Sequence, residues 1–173
     1  PKDPYLLLSA VKTNRRSVIR IARTINDSMP GRVLEIIKSG LLLRNQVSKY
    51  VEILILGTSY KPEVADSRNS PAQKVISGLK SAGFQNIRVH DPYSNESFGA
   101  RQVVSLRPAL IRADCVVILT GHRLYYSLTP RDFKRNAVLV DTVRVLNQKD
   151  YRDTELIYCT IGLKYPKDYL GQT

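Results

Sequence analysis

The sequence holds no run of about 18 or more apolar residues, the length a helix needs to cross a bilayer, so no membrane span is expected. Residues 1–4, Pro-Lys-Asp-Pro, lack the charged-then-apolar order of a secretory leader. There are two cysteines, Cys115 and Cys159, each inside an apolar run ("ADCVVIL", "LIYCTIG"). Buried free thiols are the expected state in preference to a disulfide, which points to a cytoplasmic origin. Only two histidines occur, His90 and His122, and no ligand pair has metal spacing, so no metal is expected. Both histidines read as loop hydrogen-bonders rather than acid/base groups. No G-x-G-x-x-G and no G-x-x-x-x-G-K-S/T is present, which excludes a self-sufficient dinucleotide site and a P-loop.

Acidic residues are also scarce: 15 Asp/Glu stand against 27 Lys/Arg, a net charge of +12. Residues 1–50 carry ten Lys/Arg against three Asp/Glu, so most of the excess lies there. A solvated basic helix face, a nucleotide ligand and a nucleic acid all fit such an excess. The nucleic-acid reading finds no RNP-type aromatic motif, zinc-finger spacing or helix-turn-helix to support it, and no nucleic-acid partner is expected.

Hydrophobic patterning divides the chain at 48/49. Residues 1–48 read as a helical segment. Within it, Val18, Ala22 and Ile25 share one face, as do Val33, Ile37 and Leu41, with Ile36, Leu43 and Val47 widening the second stripe. Pro30 either starts a second helix or kinks a long one. So wide an apolar surface wants cover on two sides, from its own domain and from a second subunit or a further domain.

Residues 49–173 alternate short β-rich runs (51–57, 86–92, 113–121, 136–142 and 154–162) with helical stretches. "ILIL" and "VVIL" are apolar on both faces, the mark of strands in a parallel sheet covered by helices. The expected fold is α/β: an N-terminal helical segment, then a Rossmann-like, mostly parallel sheet of about five strands.

Ligands of such sheets bind beyond the strands' carboxyl ends. The first connection there, "GTSYKPEVADSRNS", is far longer than the roughly 2–6 residues of an ordinary βα loop. Ser70, Pro71 and Gln73 form an S-P-x-Q helix start with a capping box. Lys61 and Arg68 either place two cations beside that helix N-terminus, suited to a diphosphate, or pair with Glu63 and Asp66.

The stretch "LGTSYKPEVADSRNSPA" resembles a loop of the UDP-glucose/GDP-mannose dehydrogenase family, of the form LGxxYKPxxxDxRxSPA. "PKDPYLL" resembles the tail of that family's C-x-P-x-D-P active-site motif. "INDSMP", "VHDPYS", "ADCVVILTGH" and "VDTVRVL" resemble further motifs in the family's order. The resemblance covers nearly the whole chain.

It implies the central helical, dimer-forming segment plus the C-terminal nucleotide-sugar-binding domain. The nucleophilic Cys would fall two positions ahead of Pro1, with the NAD-binding domain ahead of that. Family members use NAD to oxidise C6 of a nucleotide sugar to the uronate through a Cys-bound thioester. Asp3 matches the Asp that helps activate water, a role it can share with helix capping. Lys2 stands where many members have a Lys that stabilises oxyanion charge, or is simply solvated. Tyr60 and Lys61 match the pair that contacts the nucleotide sugar. Arg68 matches an Arg reaching toward NAD, or is held by Asp66. The family's DTRN reads "DTVR" here, so Val143 takes the Arg position and Arg144 is the remaining candidate for it. "PKD" is frequent in glucose-type members, whereas "DPY" with "NDSMP" leans toward UDP-N-acetylhexosamines such as UDP-N-acetylmannosamine. A homodimer follows from the same resemblance, as does a second possibility: a dimerisation and nucleotide-binding module without catalysis of its own.

Overall fold

The protein is represented by a computed structural model that describes residues 18–46 and 48–162. Asp3 and Lys2 lie outside them, as does Val47. One long helix, α1 (Val18–Leu43), leads into six strands: β1 (Glu52–Leu56), β2 (Asn86–His90), β3 (Arg101–Gln102), β4 (Cys115–Ile118), β5 (Val138–Asp141) and β6 (Ile157–Thr160). Helices α2 (Pro71–Ser81) and α3 (Leu106–Arg112) and three short 3₁₀ turns complete the described residues. The strand order is β3-β2-β1-β4-β5-β6. Every pairing is parallel, where the sequence led us to expect a mostly parallel sheet.

Strand alternation builds two cores. Ile53, Ile55, Cys115, Val117, Val138 and Val140 face α1 and α2. Leu54, Leu56, Val116, Ile118 and Leu139 face α3 and the 3₁₀ turns, with Tyr125, Phe133 and Tyr151. The free thiols of Cys115 and Cys159 are buried, and burial pushes that of Cys159 up to about 11 and that of Cys115 higher still. Strand β3, which the sequence patterning missed, is two exposed residues extending the sheet beside β2. It lacks the β-branched and apolar residues that mark the other strands.

Pro30 neither ends α1 nor starts a second helix: the helix runs through it. A proline inside a helix costs about 3 kcal/mol, by removing one hydrogen bond and crowding the preceding turn. Val33, Ile36, Ile37 and Leu41 follow it into the core. Each fully buried side chain of that kind stabilises by about 1.5–3 kcal/mol, so burial outweighs the proline. The helix stops before the expected residue 48. Asn45, at φ 53, ends it with bonds from Gln46 N to Leu41 O and from Asn45 N to Leu42 O. That is a Schellman closure with Asn in the usual glycine position. Upstream of Pro30 the stripe of Val18, Ile21 and Ile25 is exposed.

The reversal of strand order falls between β1 and β4, and their carboxyl ends are tied closely. Gly57 sits there at φ +91, and a Cβ on it would lie 2.4 Å from Thr120 Cβ and 2.7 Å from Thr120 N. Gly83 has the same φ, +91, with nothing within 4 Å of such a Cβ. In urea unfolding, Gly83→Ala is expected to lose about 1 kcal/mol from the backbone penalty alone. Gly57→Ala is expected to lose at least about 1 kcal/mol more, because backbone atoms must also move. Equal losses would contradict the close approach at the mouth of the sheet.

Candidate functional site

The mouth of the sheet is organised by one buried carboxylate. Asp91 follows β2 directly. Its Oδ2 accepts from Thr58 N (2.7 Å), Ser59 N (2.8 Å) and His122 Nε2 (3.1 Å). Its Oδ1 accepts from Tyr93 N (2.8 Å) and Ser94 N (2.9 Å). Burial pushes this carboxyl up, but the bonds from His122, Ser59, Tyr93 and Thr58 outweigh it and hold the group well below the usual carboxylate range. Three connections, after β1, β2 and β4, therefore converge on one side chain.

The flanks of the first loop are fixed just as closely. His122 is fully buried. Its Nδ1 accepts from Glu63 N at 3.1 Å while Nε2–H donates to Asp91, which sets the tautomer. Glu63 adopts φ +60, and its carboxylate accepts from Arg123 N (2.8 Å) and the Tyr93 hydroxyl. The Tyr93 hydroxyl, then Arg123 N, hold the Glu63 carboxyl below its ordinary value. Tyr93 stacks on His122 at 5.2 Å between centroids. Thr120 Oγ1 donates to Ser59 O (2.7 Å), and Tyr60 N donates to Asp66 O (2.7 Å). His90 Nδ1 meets the Tyr125 hydroxyl at 3.0 Å, and that hydroxyl donates to His90 O (2.8 Å). His122 is thus a loop hydrogen-bonder, as the sequence suggested, whereas His90 makes its bonds from the last residue of β2.

Between α1 and this loop lies a cleft of about 640 Å³. Arg23, Asn26, Asp27 and Pro30 line it from α1, Tyr60 and Lys61 from the loop, and Asn69, Ser70, Pro71, Gln73 and Lys74 from the start of α2. Arg23 pairs with Asp27. Among the described residues the ammonium groups of Lys61 and Lys74 show no ion pair, which leaves two cations for an anionic guest. The helix start itself offers less than expected. Pro71 has no N–H, Ala72 N donates to Ser70 Oγ (3.2 Å) and Gln73 N donates to Ser70 O (3.2 Å). Ser70 caps α2, but Gln73 lines the cleft instead of closing a capping box. Side-chain cations, rather than open N–H groups, carry the positive field here.

The structure brings Tyr60 and Lys61 together and leaves Arg68 and Arg144 out of the cleft lining. Arg68 makes two side-chain bonds to Asp66, 2.9 and 2.8 Å, and its own side chain is 86% exposed. Those bonds and the Arg68 N–H lower Asp66 to about 2. Arg144 (φ 55) lies in the connection after β5 and donates to Ile161 O at 3.2 Å. That connection has its own buried carboxylate: Asp141 accepts from Leu146 N (2.8 Å), Val143 N (3.2 Å) and the Tyr158 hydroxyl (3.1 Å). Val143 is exposed. Sequence reasoning missed Asp91 and Asp141 as loop anchors. The available signal was an Asp at the carboxyl end of an apolar strand, in "VHDP" and "LVDT".

The residues present do not fit a dinucleotide. In a Rossmann turn the backbone N–H groups after β1 face a pyrophosphate. Here those of Thr58 and Ser59 are taken by Asp91, and no G-x-G-x-x-G follows the strand. Among the described residues no three His, Cys, Asp or Glu side chains gather to hold a metal ion.

Residues 54–148 match the UDP binding domain of the UDP-glucose/GDP-mannose dehydrogenase family. The chain is 34% identical over 153 residues to a UDP-N-acetyl-D-mannosamine dehydrogenase of Methanocaldococcus jannaschii, an alignment covering 85% of this chain and 34% of that protein. It is 31% identical over 143 residues to an NDP-N-acetyl-D-galactosaminuronic acid dehydrogenase of Ralstonia nicotianae, covering 81% of this chain and 32% of that protein. The solved UDP-D-ManNAc dehydrogenase of Pyrococcus horikoshii superposes with a TM-score of 0.79 at 31% identity, over 94% of this chain and 37% of that one. The chain thus spans about a third of the length of the relatives it matches.

Asp91 makes a prediction about acid stability. Its folded pKa lies below the unfolded value of roughly 3.9, so its contribution is whole above that value and is lost as pH falls through the folded one. Asp91→Asn is expected to cost about 2–4 kcal/mol at pH 7, since at least two buried donors lose their acceptor. The gap to wild type should hold from pH 8 to about 5 and shrink by up to about 1.4 kcal/mol per unit below about pH 4. Denaturant unfolding with a gap unchanged down to about pH 2.5 would show that the carboxylate is not held ionised.

Proposed function

The chain belongs to the UDP-glucose/GDP-mannose dehydrogenase family, and on that premise we propose that it is the nucleotide-sugar-binding part of an NAD-dependent dehydrogenase. The proposed reaction of the whole enzyme is oxidation of C6 of a UDP-sugar to the uronate. UDP-N-acetylmannosamine is favoured over UDP-glucose as that sugar nucleotide, a choice supported by the names of the relatives aligned over most of this chain. The observation that carries the reading is the cleft, lined by Tyr60, Lys61 and Lys74, where among the described residues neither ammonium shows an ion pair. A diphosphate is the ligand chemistry that such a pair of cations suits.

In this reading Lys61 and Tyr60 hold the diphosphate and its flanking sugar. NAD, which supplies oxidising power when bound, is held mainly by residues in the two thirds of the enzyme's length that this chain does not span. Arg68 would reach that cofactor only by leaving Asp66. Arg144 would approach the nucleotide from the loop after β5. Asp3 orients water for the hydrolytic step, and Lys2 supports oxyanion charge. The enzyme works in the cytoplasm, in polysaccharide biosynthesis.

A second element of the proposal is a homodimer formed through α1. It is supported by Val18, Ile21 and Ile25, which leave an apolar stripe exposed upstream of Pro30. Sedimentation should give a dimer that Ile21→Lys with Ile25→Lys converts to monomer. A wild-type monomer at high concentration would remove this element.

Titration calorimetry tests the binding reading. The chain is expected to bind UDP weakly, and Lys61→Ala is expected to weaken it about tenfold, the size of one charge-assisted hydrogen bond. The purified chain should not reduce NAD with any UDP-sugar. Unchanged affinity in Lys61→Ala would remove Lys61 from the site, and turnover by the chain alone would contradict the division of labour.

A further inference from the structure

We propose that Asp91 and His122 are positioning residues that hold Lys61 at the cleft, a role that rests on the diphosphate reading of that cleft. The geometry is specific. Ser59 N, two residues before Lys61, is fixed by Asp91 at 2.8 Å. Glu63 N, two residues after it, is fixed by His122 Nδ1 at 3.1 Å. His122 Nε2 closes the circuit on Asp91 at 3.1 Å. The Tyr60–Lys61–Pro62 tip is therefore clamped on both flanks by one coupled pair of buried side chains.

The clamp uses a demanding conformation. Glu63 stands at φ +60, in the left-handed region, and its carboxylate is tied down by Arg123 N and the Tyr93 hydroxyl. A solvent-facing lysine has many rotamers and a mobile loop adds more, so an unclamped tip would surrender much of its binding energy to ordering. The clamp orders the backbone in advance and leaves only the side chain to be fixed. Neither Asp91 nor His122 lines the cleft, so both act through the loop and not on the ligand.

Two replacements of His122 separate positioning from bulk stability. His122→Gln can still accept from Glu63 N and donate to Asp91. His122→Leu fills the space and does neither. Amide hydrogen exchange on the folded chain is expected to quicken at least tenfold at residues 59–63 in His122→Leu, with β1 amides unchanged, and to stay near wild type in His122→Gln. UDP affinity by calorimetry is expected to fall about tenfold in His122→Leu and to stay within about threefold in His122→Gln. A purely structural role would instead loosen β1 together with the loop and leave the folded molecules' affinity intact. The proposal is overturned if folded His122→Leu keeps wild-type exchange at 59–63, or if His122→Gln restores nothing relative to it. If the wild-type chain binds no UDP, the diphosphate reading fails and the exchange experiment alone decides the clamp. If His122→Leu does not fold, His122→Phe decides, since it keeps a ring for Tyr93 to stack on but cannot accept from Glu63 N. Faster exchange at residue 63 in that variant supports the clamp, and unchanged exchange overturns it.

Discussion

The ionised carboxylate of Asp91 is the constraint on which the rest of the sheet's mouth depends. Five donors from three separate connections converge on it. A buried carboxylate is tolerable only when its lone pairs are filled, and here the backbone supplies four of the fillings. Removing the charge frees the start of the β1–α2 loop, the turn after β2 and the buried imidazole together. The parallel sheet makes this possible, because its topology places the carboxyl ends of β1, β2 and β4 side by side.

The same arrangement separates this domain from dinucleotide binders with the same strand order. A glycine-rich turn leaves the N–H groups after β1 open to a phosphate. Here an internal anion takes them, and the ligand surface is displaced outward to the tip of a long loop. That tip carries a lysine and faces α1, so the cleft is formed between α1 and the connection from β1 into α2. The length of the loop follows from this. It must fold back on Asp91, present Lys61, then return through the Asp66–Arg68 turn to the cap of α2 at Ser70.

Much of this was legible in the sequence. β-rich runs marked β1, β2, β4, β5 and β6, and the Ser70–Pro71 start of α2 was visible from its cap. Strand β3 was not, because two exposed residues owe their conformation to a neighbour and not to their own pattern. Continuous α1 was only half legible, since a local rule says Pro30 should interrupt and only tertiary burial explains why it does not. Lys61 at a cleft was readable from loop length and charge. The opposite fates of Lys61 and Arg68 were not, because the choice between an ion pair and a ligand turns on which way a side chain points. Asp91 and His122 were hidden for a different reason. Their bonds join residues 31 to 59 positions apart, and no local period records such a pairing.

Solution NMR of the backbone amides of Thr58, Ser59, Tyr93 and Ser94 during an acid titration reads the Asp91 anchor directly. All four resonances are expected to move together, with one midpoint well below the roughly 3.9 of a free aspartate. Separate midpoints, or a shared one at the ordinary aspartate value, would contradict a single ionised carboxylate holding the mouth of the sheet.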